Sequence, residues 1–92
     1  MNDFELGVTA YNEKNYQKAK EHFENIIKQD PSAIMAYHNV GITCVQLGLN
    51  ELAIQYLERS CQYNNPDSYI SRGAAYRNLG KYNEALKDFA LA

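Results

Sequence analysis

An internal repeat constrains the fold of this chain more than any other feature of its sequence. Glycine recurs at Gly7, Gly41 and Gly73, at spacings of 34 and then 32 residues. Two further columns keep the same spacings: Ala19, Ala53 and Ala85, and Phe23, Leu57 and Phe89. Three columns in register at a period near 34 residues are typical of a solenoid, in which similar units stack on one another. The sequence therefore predicts one domain of three units, 1–33, 34–65 and 66–92.

Each unit is predicted to contain two helices. One helical face is marked in the middle unit by residues spaced i, i+3, i+4 and i+7: Tyr37, Val40, Gly41 and Cys44. A second face follows at i, i+4 and i+7: Ala53, Leu57 and Ser60. No stretch alternates with period two over the length of a strand. We therefore predict an all-α fold of about six helices, near residues 3–13, 16–28, 33–46, 50–62, 66–79 and 82–92.

Turn residues separate the predicted helices. Gly48 and Gly80 can adopt the left-handed conformation that commonly ends a helix. Asn50 is expected to cap the helix that follows Gly48. Asn65 is expected to cap the fifth helix, with Pro66 at its first position. These residues divide the chain where the repeat predicts boundaries.

Small residues are predicted to set the distance between the two helices of a unit. Gly41 is expected to face Ala53, so that two antiparallel helices approach closely, and Gly73 is expected to face an alanine, Ala85, in the same way. Large side chains should fill the space around this contact and against the next unit; they are Tyr16, Phe23, Tyr82 and Phe89. Arg72 lies on the same stripe and is expected to be structural, with its stem over apolar surface and its charge at solvent or at a carbonyl.

The charge and cysteine content exclude several classes of protein. The 92 residues carry a net charge of −2, and no basic stripe is present to neutralise phosphates, so no nucleic-acid partner is expected. No apolar run approaches the roughly 18 residues of a membrane span, and the acidic N-terminus is not a signal peptide. Cys44 and Cys61 are the only cysteines and form no CxxC pair. We expect them to be small, semi-buried helix residues in a reducing, cytoplasmic compartment, rather than a disulfide or a metal site.

No catalytic constellation is apparent. His22 and His38 are 16 residues apart on different predicted helices, with no carboxylate or cysteine at metal-ligand spacing. No acid, base and nucleophile can be brought together at reachable spacing. The chain is therefore expected to be neither an enzyme nor a cofactor-binding protein, with each histidine hydrogen-bonded within the fold or exposed.

The repeated columns form a motif that alternates small and large residues. The first halves of the copies read Asp3-x2-Leu6-Gly7-x2-Ala10, Tyr37-x2-Val40-Gly41-x2-Cys44 and Tyr69-x2-Arg72-Gly73-x2-Tyr76. The second halves read Ala19-x3-Phe23, Ala53-x3-Leu57 and Ala85-x3-Phe89. This pattern resembles the tetratricopeptide repeat, W-x2-L-G-x2-Y, then A-x3-F, then P, over essentially the whole chain. The resemblance implies a right-handed α-solenoid of antiparallel helix pairs, the last repeat truncated, that binds other proteins.

The resemblance also implies a concave groove lined by the first helix of each unit. Its residues would lie one step round each helix from the packing stripe. They are Phe4, Val8, Tyr11 and Asn12, then His38, Asn39, Ile42, Val45 and Gln46, then Ile70, Ser71, Ala74, Arg77 and Asn78. A contiguous row of apolar residues in this set suits an apolar or amphipathic peptide of a protein partner. The alternative is that some of these residues pack between units.

Some co-chaperone members of this family grip the C-terminal carboxylate of a partner with two Lys/Asn or Lys/Arg pairs and one further Asn. The corresponding positions here are Phe4, Val8, Asn39, Asp67 and Ser71. Only Asn39 matches, and the basic residues that would pair with a carboxylate are absent. We therefore do not expect this mode of binding. Asn39 is left with two possible roles, a hydrogen bond to the backbone of a ligand or a contact between helices.

Two departures from the family pattern bear on assembly. Asp3 and Ala10 stand where large aromatic residues are usual, so the first unit is expected to pack less tightly at its open end. No polar capping helix follows Phe89, although solenoids normally need one for solubility. We therefore expect either a fragment of a longer array or a homo-oligomer that associates through uncapped ends.

Overall fold

The computed structural model describes residues 1–92 as six helices joined by short turns. The helices are α1 (Asp3–Asn12), α2 (Tyr16–Gln29), α3 (Ile34–Gln46), α4 (Asn50–Cys61), α5 (Pro66–Asn78) and α6 (Tyr82–Leu91). Each helix packs against the one that follows it, and α3 also contacts α5. Three helix pairs therefore stack into an elongated body of 40 × 24 × 17 Å. The predicted all-α solenoid is confirmed, and every helix boundary lies within one residue of its predicted position.

Residues in the left-handed conformation follow the first helix of each unit. Gly48 and Gly80 have φ angles of 77° and 78°, as predicted. In the first unit Lys14 takes this conformation, with φ of 63°. A left-handed residue other than glycine costs about 1–2 kcal/mol, so the first turn is less favourable than the other two.

Side chains cap some helices and not others. Asn65 accepts a hydrogen bond from the backbone N–H of Asp67 at 3.0 Å, and a proline is the first residue of α5, as predicted. The prediction for Asn50 is wrong, because α4 begins at Asn50 and its cap residue is Leu49, which has no side-chain acceptor. The side-chain amide of Asn50 donates instead to the Gly48 carbonyl at 3.3 Å. The cap position lies one residue before the asparagine.

The close approach of the helices in each unit is confirmed, but the predicted partner of the glycine is wrong. A Cβ atom on Gly41 would lie 2.5 Å from two carbon atoms of Leu57, and no atom of Ala53 is as near. The other units repeat this contact, between Gly7 and Phe23 and between Gly73 and Phe89. Side chains four residues apart share one face of a helix, so the large residue after each alanine extends over the glycine.

The core contains mostly small and aliphatic side chains. Its buried residues are Ala10, Ala19, Phe23, Val40, Cys44, Ala53, Leu57 and Ala75. Cys44 and Cys61 are buried helix residues, as predicted, and both are free thiols. Burial raises the pKa of the Cys44 thiol to about 11, so this cysteine stays protonated and unreactive near neutral pH.

The large side chains expected to pack between units behave differently at the two ends of the molecule. Phe23 is buried, and Tyr16 packs edge-on against Tyr11 with ring centroids 5.3 Å apart. The expectation is wrong for Tyr82, which is 64% exposed, whereas Phe89 covers Gly73 within its unit, as expected, but remains 37% exposed. Both lie on α6, which packs closely only against α5. The outer face of α6 is therefore open.

A buried ion pair joins α5 to α6. The guanidinium of Arg72 donates to both carboxylate oxygens of Asp88, at 2.8 and 2.7 Å. Asp88 is only 2% exposed, and the guanidinium also lies against the rings of Tyr69 and Tyr76. The hydrogen bonds to Asp88 raise the pKa of Arg72. The structural role predicted for Arg72 is confirmed, but its charge meets a buried carboxylate rather than solvent or a carbonyl.

Candidate functional site

Two adjoining cavities lie along the face formed by α1, α3 and α5. The first has a volume of about 170 Å³ and is lined by Val8, Tyr11, Phe23, Asn39 and Ile42. The second has a volume of about 240 Å³ and is lined by Tyr11, Ile42, Val45, Gln46, Ile70, Ser71 and Ala74. Tyr11 and Ile42 belong to both linings. We call the two cavities, with the ridge of Tyr11 and Ile42 between them, the groove.

The groove residues emerge beside the buried columns of the repeat. Gly41 is buried against Leu57, and the next residue, Ile42, lines the groove. In the same way Ala74 follows the buried Gly73. Neighbouring residues of a helix with 3.6 residues per turn point about 100° apart, so the residue after a packing position belongs to the adjacent face.

The structure brings together most of the residues that the sequence assigned to a binding face. Those in the groove are Val8, Tyr11, Asn39, Ile42, Val45, Gln46, Ile70, Ser71 and Ala74. Asn12 and Arg77 are exposed and line neither cavity, and Phe4 lines a separate one. Asn78 donates from its side-chain amide to Oδ1 of Asn50 at 3.1 Å, which ties α5 to the start of α4.

The groove is apolar, with neutral polar side chains among its lining residues. None of those residues is charged. Asn39 is half-buried, and its backbone carbonyl accepts a hydrogen bond from the Thr43 hydroxyl at 2.7 Å. Its side-chain amide bonds no protein group. Because no buried side-chain nitrogen or oxygen lacks a partner, this amide keeps contact with solvent and is free to bond a ligand.

A histidine–serine contact lies at the boundary between the second and third units. Nδ1 of His38 lies 2.8 Å from Oγ of Ser68. Burial lowers the pKa of His38, and the negative charge of Asp67 partly opposes this effect. Ser68 is fully buried, so its hydroxyl cannot act on a substrate and the contact is structural. His22 lies 3.0 Å from Asp3, so both histidines have partners within the fold, as predicted.

The largest cavity was not predicted from the sequence. It has a volume of about 630 Å³, lies where α1 and α3 begin and α2 ends, and is lined by Met1, Asn2, Asp3, Phe4, Leu6, Ile26, Gln29, Ala33, Ile34, Met35 and Ala36. Phe4 and Ala36 occupy here the repeat positions that His38 and Ser68 occupy at the next boundary. Phe4 and Ala36 cannot form a side-chain hydrogen bond, and Phe4 is 44% exposed although Ala36 is buried. Comparison of these two pairs along the repeat would have indicated that the first boundary lacks the histidine–serine contact.

A second apolar surface is the outer face of α6, formed by Tyr82, Leu86 and Phe89. Leu86 is 64% exposed, as is Tyr82. The repeat equivalents of Phe89 are Phe23 and Leu57, which are 2% and 0% exposed, where α3 and α5 pack against α2 and α4. In the first and second units the neighbouring unit covers this face, and in the third unit the face is exposed.

The remaining surface shows neither a metal cluster nor a membrane segment. No three or more histidine, cysteine, aspartate or glutamate side chains are grouped so that they could hold a metal ion. None of the six helices combines the length and the apolar character needed to cross a bilayer.

Family models of the tetratricopeptide repeat match residues 4–33, 36–67 and 66–92. The chain belongs to the tetratricopeptide repeat family. A human relative, tetratricopeptide repeat protein 6, is 27% identical over 85 residues. That match covers 91% of this chain and 16% of the relative, so the chain spans a small part of the length of that protein. The resemblance inferred from the repeated columns is confirmed.

Solved tetratricopeptide repeat structures share this fold closely. The domain of Arabidopsis OM64 is 28% identical with a TM-score of 0.93, and the match covers 96% of this chain and 74% of that one. The second domain of Spaghetti (RPAP3), bound to the HSP90 peptide SRMEEVD, is 23% identical with a TM-score of 0.92, over 97% and 84% of the two chains. The N-terminal domain of stress-induced protein-1 from C. elegans is 23% identical with a TM-score of 0.84, over 96% and 76%. At 23% identity the last two show the fold alone.

Proposed function

We propose that this chain is a protein-interaction scaffold that binds a peptide or a helical segment of a partner protein in the groove. The observation that carries the proposal is the pair of adjoining apolar cavities on the face of α1, α3 and α5. A contiguous apolar depression with a few polar groups is typical of a surface that receives a peptide. One solved neighbour holds an HSP90 peptide, which supports peptide binding as a use of this fold.

The residues that we assign to binding extend beyond the groove along α1, α3 and α5. Arg77 lies one helical turn beyond Ala74 on α5 and is exposed, so it offers a positive charge to a partner that runs past the second cavity. The groove lining holds no histidine, cysteine, lysine or carboxylate that could activate the Ser71 hydroxyl, so the proposed function is binding without catalysis.

The test is a pull-down from the native source with a charged groove variant. Val8→Glu combined with Ile42→Glu places one carboxylate in the first cavity and one on the ridge, and the bound partner should be lost because a charge in an apolar contact is costly. Gln17→Glu with Gln55→Glu adds the same charge at exposed positions of α2 and α4 and should bind like the parent. Helical circular dichroism must be unchanged in both variants. Partners retained equally by the groove variant and its control would refute the proposal.

The open outer face of α6 favours a second candidate function, self-association into a homo-oligomer. Leu86 and Tyr82 are mostly exposed on this face, and burial of exposed apolar surface favours association. Sedimentation equilibrium of the parent should show a mass that rises with concentration, and Leu86→Glu should abolish the rise. Asn83→Glu is the control, because Asn83 and its repeat equivalents are exposed in all three units. A monomeric mass at every concentration would exclude this candidate.

A further inference from the structure

The charge and shape of the groove restrict what it can hold. We propose that its occupant is an internal segment of a partner protein, with two apolar side chains on either side of the ridge of Tyr11 and Ile42, and not a chain end with a free carboxylate. This inference rests on the proposed function and specifies the chemistry of the partner.

Three cationic side chains of the second helices and of the third unit have partners within the fold, whereas Arg77 is exposed beyond the second cavity. Arg72 is bound to Asp88 through two hydrogen bonds. Lys20 pairs with Glu24 at 3.2 Å, and the guanidinium of Arg59 lies 4.8 Å from the ring centre of Tyr37.

No charged residue lines the groove. A terminal carboxylate placed in either cavity would lose its hydration without gaining a cation. Burial of an unpaired charge is strongly unfavourable, so the groove selects against a free chain end.

The two cavities match two separate apolar side chains. Their volumes are about 170 and 240 Å³, and the ridge residues Tyr11 and Ile42 line both. An occupant that fills both cavities passes over Tyr11 and Ile42, and it can bury one apolar group on each side. Val8 forms part of the first cavity and Ile70 part of the second, so each cavity can be altered without direct change to the other.

The polar side chains of the groove suit the backbone of such a segment. Asn39 in the first cavity and Gln46 and Ser71 in the second are neutral. Each side chain offers both a hydrogen-bond donor and an acceptor. Hydrogen bonds to peptide N–H and C=O groups hold a segment whatever its sequence, and the two apolar side chains then supply selectivity.

The experiment uses the 92-residue chain and two libraries of the same random 12-residue peptides. One library has both peptide ends blocked by acetyl and amide groups, and the other has free C-terminal carboxylates. We expect binders in both, each with two apolar residues, and replacement of the carboxylate by an amide should change affinity less than about twofold. Val8→Glu and Ile70→Glu should each lower affinity by about tenfold or more, which equals about 1.4 kcal/mol. Asn39→Ala should weaken binding of all peptides by a similar factor, about three- to tenfold.

Three outcomes would contradict these expectations in different ways. Binders that appear only with a free carboxylate, and that still require Val8 and Ile70, would overturn the inference and leave the proposed function standing. Binders that need a single apolar residue, with only one of the two variants affecting them, would also overturn it. Binders insensitive to both variants, or no binder in either library, would overturn the proposed function itself. Gln55→Glu, exposed on α4, is the charge-matched control.

Discussion

Replacement of Gly41 by alanine tests the contact that sets the spacing of the helices. In an open helix this change would stabilise the protein by about 1 kcal/mol, because alanine has the higher helix propensity. Here the new methyl group would lie 2.5 Å from Cγ and Cδ2 of Leu57, which is fully buried and cannot move outward. Overpacking costs about 1–3 kcal/mol, and we expect so severe an overlap to cost an amount near the upper end of this range. We therefore expect a net loss of about 1–2 kcal/mol.

Gly73→Ala is the matched comparison. Its methyl group would lie 2.6 Å from a carbon atom of the Phe89 ring, an overlap of nearly the same size. Phe89 is 37% exposed on the open face of α6, so its ring can shift toward solvent. The gain in helix propensity then offsets the remaining strain, and we expect a stability within about 0.5 kcal/mol of the parent.

Urea denaturation followed by helical circular dichroism measures both differences. In a domain of 60–100 residues, 1 kcal/mol corresponds to about 4–8 °C in Tm, so Gly41→Ala should lower Tm by at least about 4 °C. Leu57→Ala removes the overlapping atoms, so most of the cost of Gly41→Ala should vanish in that background. The reasoning is refuted if Gly41→Ala is as stable as Gly73→Ala, or if its cost is unchanged beside Leu57→Ala.

Two further predictions concern buried polar groups. Arg72→Ala should lower the free energy of unfolding by about 3–5 kcal/mol, because it leaves the carboxylate of Asp88 buried without a partner. The double variant Arg72→Leu with Asp88→Leu should lose less in the same urea assay. A larger loss in the double variant would contradict this. Burial lowers the pKa of His38 below its usual 6.5, so the unfolded chain takes up a proton first, and stability present above pH 6.5 is lost as the pH falls below it. His38→Asn should flatten this fall below pH 6.5, and an unchanged slope in unfolding free energy would show that His38 is not its cause.

The positions of the helices could be predicted because the repeat presents each boundary three times. Contacts between helices could not be predicted in the same way, since they depend on how far each side chain extends across the interface. Gly41 was expected to face Ala53, but Leu57, one turn further along α4, covers it. The pairing of Arg72 with Asp88 joins residues of different helices, and no spacing within one helix indicates it.

A groove residue could be predicted where its position around the helix alone decides which face it lies on. Ile42 and Ala74 line the second cavity because they directly follow packing glycines. His38 shares their predicted face but turns to Ser68 in the neighbouring unit, a contact that depends on how the units stack. The cavity beside Phe4 lies at a boundary that lacks the histidine–serine hydrogen bond, and a pattern of apolar residues in one helix carries no information about it.

The exposure of Phe89 links ligand affinity to local unfolding. In a stacked array, the free energy of unfolding is approximately the sum of the intrinsic stabilities of the units and the contributions of the interfaces between neighbours. In the isolated 92-residue chain the third unit packs against a helix pair on one side only, so there α5 and α6 should open together at a lower free energy than the middle unit. Ile70 and Ala74, which line the second cavity, lie on α5. Apparent affinity is therefore reduced by the fraction of molecules with the last hairpin open, and a bound ligand should slow amide hydrogen exchange in α5 and α6 more than in α3.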